Sequence, residues 1–284
     1  MRRPKIGILG MGSIGTRHAK NFMQLGCEVR THDPIINPCT SRQEIINWAD
    51  AIIVCTPSKN HWHDIYSTNK PLLVEKPIVM TKEEYVNAVS RPHLYNVPMV
   101  GYNLRFHSCV IQAKKWLEAG FLGKPLWARF VCAQYNEKPT YLRDGVILNW
   151  SHEIDLALYL LGPAKVVASD WDLRLADIII QHEDQKCQTT IHLDYITTTE
   201  RRGFEIICEK GSIDVDLVTR TAILKGSQPC DIIFRGKDSF DENYLSEAEA
   251  FLDRLDGKET MGCTAEEALA VVDICLRAKE MSRE

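Results

Sequence analysis

The chain has 284 residues, 45% of them hydrophobic and 25% charged, with a net charge of −4. That length accommodates two modest domains, the apolar share excludes wholesale disorder, and no block of five like charges offers a large nucleic-acid footprint. The longest apolar runs, such as Ala51 to Cys55, are strand-length and far short of a membrane span. Ten cysteines stand 12 to 55 residues apart with no Cys-x-x-Cys pair, which reads as reduced thiols and not as a disulfide framework or zinc site. The N-terminus is basic, but the apolar stretch after it is too short and glycine-broken for a signal peptide. A cytoplasmic protein with no membrane and no nucleic-acid partner is expected.

The first hundred residues alternate strand and helix patterns. Lys5 to Leu9 reads as a buried strand, Gly10 to Gly15 as a glycine loop, and Ser13 to Leu25 as a helix ended by Gly26. Strands at Cys27 to Thr31, Ala51 to Cys55, Pro71 to Val74 and Met99 to Tyr102 then alternate with helices at Arg42 to Trp48, His61 to Thr68 and Lys82 to Val89. That rhythm predicts a parallel, doubly wound sheet. Val110 to Ala119, stopped by Gly120, reads as a connecting helix.

Beyond it the pattern changes. A strand at Trp127 to Tyr135 and a helix at His152 to Leu161 precede period-two strands at Val166 to Asp170, Asp177 to His182, Cys187 to Tyr195, Arg202 to Glu209, Ser212 to Asp216 and Ala222 to Lys225. Glu209 to Ser212 reads as a hairpin turn, and the run of strands as a mostly antiparallel sheet. Helices at Asp241 to Leu255 and Ala265 to Met281 close the chain, the second capped by Thr264 with Glu267 three residues on.

Gly10-Met11-Gly12-Ser13-Ile14-Gly15 lies between a strand and a helix, the setting in which such a loop binds a dinucleotide. Gly10 permits the tight turn, Gly12 lets the backbone approach a pyrophosphate, and Gly15 lets the helix pack on the sheet. Met11, Ser13 and Ile14 complete a cradle at a helix N-terminus, where unpaired N–H groups and a partial positive charge attract phosphate. Asp33, eighteen residues after Gly15, is placed to accept hydrogen bonds from an adenosine ribose and to repel a 2′-phosphate. NAD is therefore expected in preference to NADP.

The chain continues with Thr56-Pro57, His61, Glu75-Lys76-Pro77 and Gly101-Tyr102-Asn103-Leu104-Arg105-Phe106. Ser151-His152-Glu153-Ile154-Asp155-Leu156, the stretch Glu205 to Gly211 and Glu266-Glu267-Ala268-Leu269 follow. Together these residues resemble the Gfo/Idh/MocA family of sugar and polyol oxidoreductases over essentially the whole chain. The resemblance implies an α/β Rossmann domain over residues 1–122 that binds NAD. It implies an α+β domain over residues 123–284 with a large, mostly antiparallel open sheet, used for substrate binding and for assembly into a homodimer or homotetramer.

The resemblance also assigns roles. Thr56, Pro57 and His61 would lie beside the cofactor, and Glu75 and Lys76 where cofactor and substrate meet. Asn103, Arg105, Asn149, His152 and Asp155 would hold the substrate, a sugar, amino sugar, nucleotide sugar or polyol whose secondary alcohol is oxidised by hydride transfer. Chemistry agrees for Lys76: an amine in a partly dry cleft donates a hydrogen bond to the reacting oxygen and polarises it. Adjacent residues on a strand point to opposite faces, so a plain surface ion pair with Glu75 explains the two poorly. His152 opens a helix, suits acid–base work near neutral pH, and has Asp155 on the same face to orient it.

Many relatives carry an aspartate three or four residues before this histidine, where this chain has Leu148-Asn149-Trp150-Ser151. Asn149 bonds a hydroxyl but cannot carry that charge. The family also contains redox-neutral NAD-dependent glycosidases, and a non-catalytic sensor of nicotinamide or sugar is the third reading. Ser151-His152-Glu153 and His192-Leu193-Asp194-Tyr195 look most like members associated with bacterial surface-sugar synthesis.

Several features are discounted. His61-Trp62-His63 invites a metal, but histidines two apart on a helix diverge, and no metal is expected. Glu200-Arg201-Arg202 suits a phosphate but reads better as a solvated strand end. Tyr135, Tyr141 and Arg143 could roof a sugar or be plain surface, and Cys55 reads as packed.

Overall fold

A computed structural model of the chain describes residues 3–36, 41–90, 94, 96–136, 145–183, 187–226, 230–237 and 239–281. Tyr141, Arg143 and Cys39 lie outside them. The chain forms two compact units, one of Met1–Phe106 with Ser239–Leu269 and one of His107–Asp238 with Ala270–Glu284. A single cut at 122/123 does not describe this division: the connecting helix lies in the second unit, and residues 239–269 return to the first.

In the first unit, β1 (Lys5–Leu9), β2 (Glu28–His32), β3 (Ala51–Val54), β4 (Leu72–Glu75) and β5 (Met99–Gly101) form a parallel sheet in the order β2-β1-β3-β4-β5. Its crossovers contain α1 (Ser13–Gln24), α2 (Arg42–Trp48), α3 (His61–Tyr66) and α4 (Lys82–Val89). The central strands read Ile-Gly-Ile-Leu, Ala-Ile-Ile-Val and Leu-Leu-Val and are buried throughout, as a sheet covered on both faces requires. Strand order reverses between β1 and β3, so the crevice of this sheet opens at their carboxyl ends, beside the glycine loop and Thr56-Pro57.

Further on, α8 (Phe240–Leu255) lies against α1. Phe22 and Phe251 meet edge to face at 6.1 Å in a core shared with Ile8, Ile53, Leu73 and Met99. Arg254 hydrogen-bonds the carbonyls of Pro98 at 2.6 Å and Gly262 at 2.6 Å, which stitches the returning segment to the start of β5.

The second unit contains α5 (Ser108–Glu118), β6 (Pro125–Ala133), α6 (Val146–Asn149), α7 (His152–Leu161), β7 (Ala164–Trp171), β8 (Leu175–His182), β9 (Gln188–Asp194), β10 (Arg201–Cys208), β11 (Gly211–Asp216), β12 (Thr221–Gly226) and β13 (Ile232–Arg235). Among the described residues the strands form an eight-stranded sheet in the order β13-β12-β11-β10-β6-β9-β8-β7, in which only β6 and β9 run parallel. The antiparallel neighbours include the two-residue hairpin at Glu209-Lys210. Burial alternates along the strands, and α5, α6 and α7 pack on the sheet, so one face is core and the other open. The last helix, α9 (Ala265–Glu280), starts in the first unit and ends in the second. The described cysteines are free; burial, with the charges of Cys187 and Glu209, pushes the Cys208 thiol up to about 11, so it stays a packed thiol.

Candidate active site

The glycine loop follows β1 directly. Gly10 adopts φ 91°, and a Cβ there would come within 2.5 Å of the Cys55 carbonyl oxygen, while one on Gly15 would lie 1.9 Å from the Gly10 oxygen. Only glycine fits either position. Gly12, by contrast, faces open space and caps α1 without any side-chain hydrogen bond. The helix start at Ser13 and Ile14 therefore keeps its amide donors for a phosphate, and the cradle fits a dinucleotide.

Asp33 stands just past the end of β2. One carboxylate oxygen accepts the Met11 N–H at 2.8 Å, and the other accepts Ile35 N–H at 2.8 Å and Ile36 N–H at 3.0 Å. The amides of Met11, Ile36 and Ile35 hold its carboxyl below the usual range, so the acid both orders the loop and remains an anion.

Thr56 and Pro57 follow β3, and Thr56 donates its hydroxyl to the Asp64 carboxylate. His61 is buried with its ring nitrogens 2.8 Å from the Pro77 carbonyl and 2.9 Å from the Thr56 carbonyl. The imidazole thus braces the backbones after β3 and β4, and neither nitrogen faces outward for a metal.

Glu75 ends β4 and Lys76, half-buried, follows it. The Glu75 side chain turns inward, where the His18 Nε2–H of α1 donates to its carboxylate at 2.8 Å. Glu247 of α8 completes a group whose nitrogen and oxygen atoms lie within 4.8 Å of one another. Burial, together with the charges of Glu75 and Glu247, pushes the Cys55 thiol well up, so Cys55 is packed and protonated.

Past β5, Asn103 and Arg105 lie on a 3-10 turn, Asn103–Phe106, and both are buried. The Asn103 amide nitrogen has no hydrogen-bond partner among the described residues. A buried amide in this setting is ordinarily completed by water or by a bound polar group. Arg105 donates to Glu267 at 3.0 Å, and Glu267 forms a capping box with Thr264 at the start of α9. Burial raises the Glu267 carboxyl, but the Arg105 charge and the Thr264 amide outweigh it and hold the group below its usual range.

In the second unit, Asn149 ends α6, while His152 and Asp155 occupy the first turn of α7, Asp155 fully buried. Between them Glu153 is 1% exposed and takes two hydrogen bonds from Arg202 of β10, at 2.8 and 3.3 Å. Arg202 is therefore neither a solvated strand end nor a loose phosphate clamp; it pins the first turn of the helix that carries His152.

Sequence reading missed His18, Glu247 and the Arg202–Glu153 pair. A signal existed for the first two, since each stands in an apolar helical stripe, Gly15-His18-Phe22 and Tyr244-Glu247-Phe251. An ionisable residue on a buried face needs a partner.

Comparison with known proteins agrees with this arrangement. The model of the D-isomer specific 2-hydroxyacid dehydrogenase NAD binding domain matches residues 1–76, and that of the GFO/IDH/MocA C-terminal domain matches residues 110–214. The chain is 27% identical over 192 residues to scyllo-inositol 2-dehydrogenase (NAD(+)) of Bacillus subtilis, covering 56% of this chain and 54% of that enzyme. It is 23% identical to inositol 2-dehydrogenase of Salmonella typhimurium over 97% of this chain and 94% of that one. Its fold is that of UDP-N-acetylglucosamine 3-dehydrogenase GnnA from Acidithiobacillus ferrooxidans, with a TM-score of 0.84, 18% identity and coverage of 99% and 98% of the two chains. The two-sheet architecture, the glycine cradle and these matches make the chain similar to the Gfo/Idh/MocA oxidoreductases, whose C-terminal domain its residues 110–214 match.

Proposed function

We propose that the chain is an NAD-dependent dehydrogenase that interconverts a secondary alcohol and a ketone on a sugar, amino sugar, nucleotide sugar or polyol. One observation carries the reading. The carboxyl edge of a single parallel sheet gathers an uncapped helix start behind a glycine loop, an acid after β2, the Thr56-Pro57 turn after β3 and Lys76 after β4. The names of the inositol and UDP-N-acetylglucosamine dehydrogenases supply the substrate class.

NAD, when bound, supplies the hydride acceptor. Gly10, Met11, Gly12, Ser13, Ile14 and Gly15 hold its pyrophosphate, Asp33 its ribose hydroxyls, and Thr56, Pro57, His61 and Glu75 shape the rest of the seat. Lys76 donates a hydrogen bond to the reacting oxygen and favours the alkoxide as the hydroxyl proton leaves. Asn103 offers its orphan amide to a substrate hydroxyl, and Arg105, anchored on Glu267, stiffens the same turn. His152 is assigned the proton, and Asn149 and Asp155 substrate hydroxyls, on the strength of the family motif. A cytoplasmic homodimer or homotetramer, joined through the open face of the second unit's sheet, completes the proposal.

The test is NAD reduction, followed by absorbance, across polyols, free sugars, amino sugars and nucleotide sugars. Turnover on one class is expected, with Lys76→Ala lowering kcat about 10²–10⁴-fold. Tight NAD binding with no turnover on any class would overturn the dehydrogenase reading.

A further inference from the structure

His18 and Glu247, grouped with Glu75, have no part in the chemistry proposed above, and the three residues come from different elements. His18 is one turn beyond Gly15 on α1, Glu75 is the residue before Lys76 on β4, and Glu247 is on α8. His18 is 0% and Glu247 1% exposed. We propose that His18 and Glu247 are positioning residues, which lock the Glu75 carboxylate so that the cofactor helix and the Lys76 backbone keep one spacing. The inference rests on the reading of the glycine loop and Lys76 given above.

Four observations support it. The His18–Glu75 hydrogen bond, at 2.8 Å, joins the helix whose start cradles phosphate to the strand end that carries Lys76. Gly101, on the neighbouring strand β5, leaves space for this carboxylate, since a Cβ there would approach it to 3.0 Å. Tyr244 stands edge-on to the His18 ring at 5.8 Å, one turn before Glu247, and fixes the ring plane. Arg17 and Asp241 pair at 2.8 Å and join the same two helices a second time.

Two other readings compete. A cation held by His18, Glu75 and Glu247 would have to displace the hydrogen that already bridges Nε2 and Glu75. A purely structural filling is poorly served by these groups, because apolar side chains of similar size often stabilise an interior as well or better. The directional His18–Glu75 hydrogen bond, with Glu247 packed within 4.8 Å of it, instead defines one geometry, and a rigid bracket holds reacting groups to the tolerance catalysis needs.

The experiment is a fluorescence titration of NADH into the full chain, with the emission spectrum of bound NADH recorded alongside. The variants are His18→Phe, His18→Gln, Glu247→Gln and the His18→Phe/Glu247→Gln double. His18→Phe should weaken NADH binding about tenfold and shift the emission of the bound cofactor. His18→Gln, which keeps a donor near the Nε2 position, should recover most of that loss. The double variant should lose less than the product of the two single losses, because both act through Glu75.

Wild-type affinity in His18→Phe, no rescue by glutamine, or fully multiplicative losses would each overturn the proposal. If His18→Phe fails to fold, Glu247→Gln, of unchanged shape, carries the test, and wild-type affinity and emission there would overturn it. A rise in melting temperature with Mn²⁺ or Zn²⁺ that Glu247→Gln abolishes would also overturn it, in favour of a cation site. Silence of the wild type on the substrate panel, with NADH binding and its coupling intact, would sink the dehydrogenase reading and leave the bracket standing.

Discussion

Asp33 accepts three backbone N–H groups, and one of them belongs to the glycine loop itself. These bonds favour the ionised carboxylate, so its folded value lies below that of the unfolded chain. The stabilisation is therefore complete above about pH 4, the ordinary carboxylate value, and is lost as acid titrates the folded group. Asp33→Asn should flatten the acid limb of a curve of melting temperature against pH. It should also narrow the preference for NADH over NADPH by about tenfold in a fluorescence titration, because the neutral amide no longer repels a 2′-phosphate. An unchanged preference would place the discrimination elsewhere. At this scale the glycines and the acid were legible because their chemistry is local. The partners of Glu75, Arg105 and Glu153 were not, since His18, Glu267 and Arg202 stand 57, 162 and 49 residues away along the chain.

Among the elements, α1 and α8 share the tightest dependence. Phe22 and Phe251 are both fully buried against one another. Phe251→Ala should lower stability by about 3–5 kcal/mol in urea denaturation, the range for deleting a buried phenyl ring. A loss below 1 kcal/mol would show that the two helices pack independently. Helices α2, α4 and α7 have the bounds that the sequence predicts. For the first two the reason is visible in reciprocal capping boxes, Ser41 with Glu44 and Thr81 with Glu84, which define a helix start within four residues. β13 escaped because both Ile232 and Ile233 are largely exposed, so this short edge strand lacks the alternation that marks a half-buried one. α6 escaped because Val146-Ile147-Leu148 is buried on all sides, and so short an apolar run carries no period.

For the whole molecule, the second unit's sheet leaves a face on which Val131, Ile179 and Ile223 stand among polar residues, only partly covered. If this face joins copies of the chain, light scattering behind size exclusion should give the mass of two or four chains, and Val131→Asp should shift it toward one. A monomeric wild type would remove the homo-oligomer from the proposal. The sheet and its direction of pairing were legible in the period-two strands. The division into units was not, because the return of residues 239–269 depends on which core their apolar stripe meets, a tertiary outcome.

That return bears on how the protein is made. The path passes from one unit to the other after Phe106, comes back at Ser239 and leaves again after Leu269. During synthesis the parallel sheet emerges first but lacks Phe251, Leu252 and Glu247, and the strands β6 to β13 are all translated before the ribosome supplies them. The second sheet can therefore form its hairpins while the older one still waits with the Phe22 side of α1 bare. Nascent chains stopped before residue 239 should be the ones that chaperones hold, and release of the 239–269 stretch the event that ends the need for them.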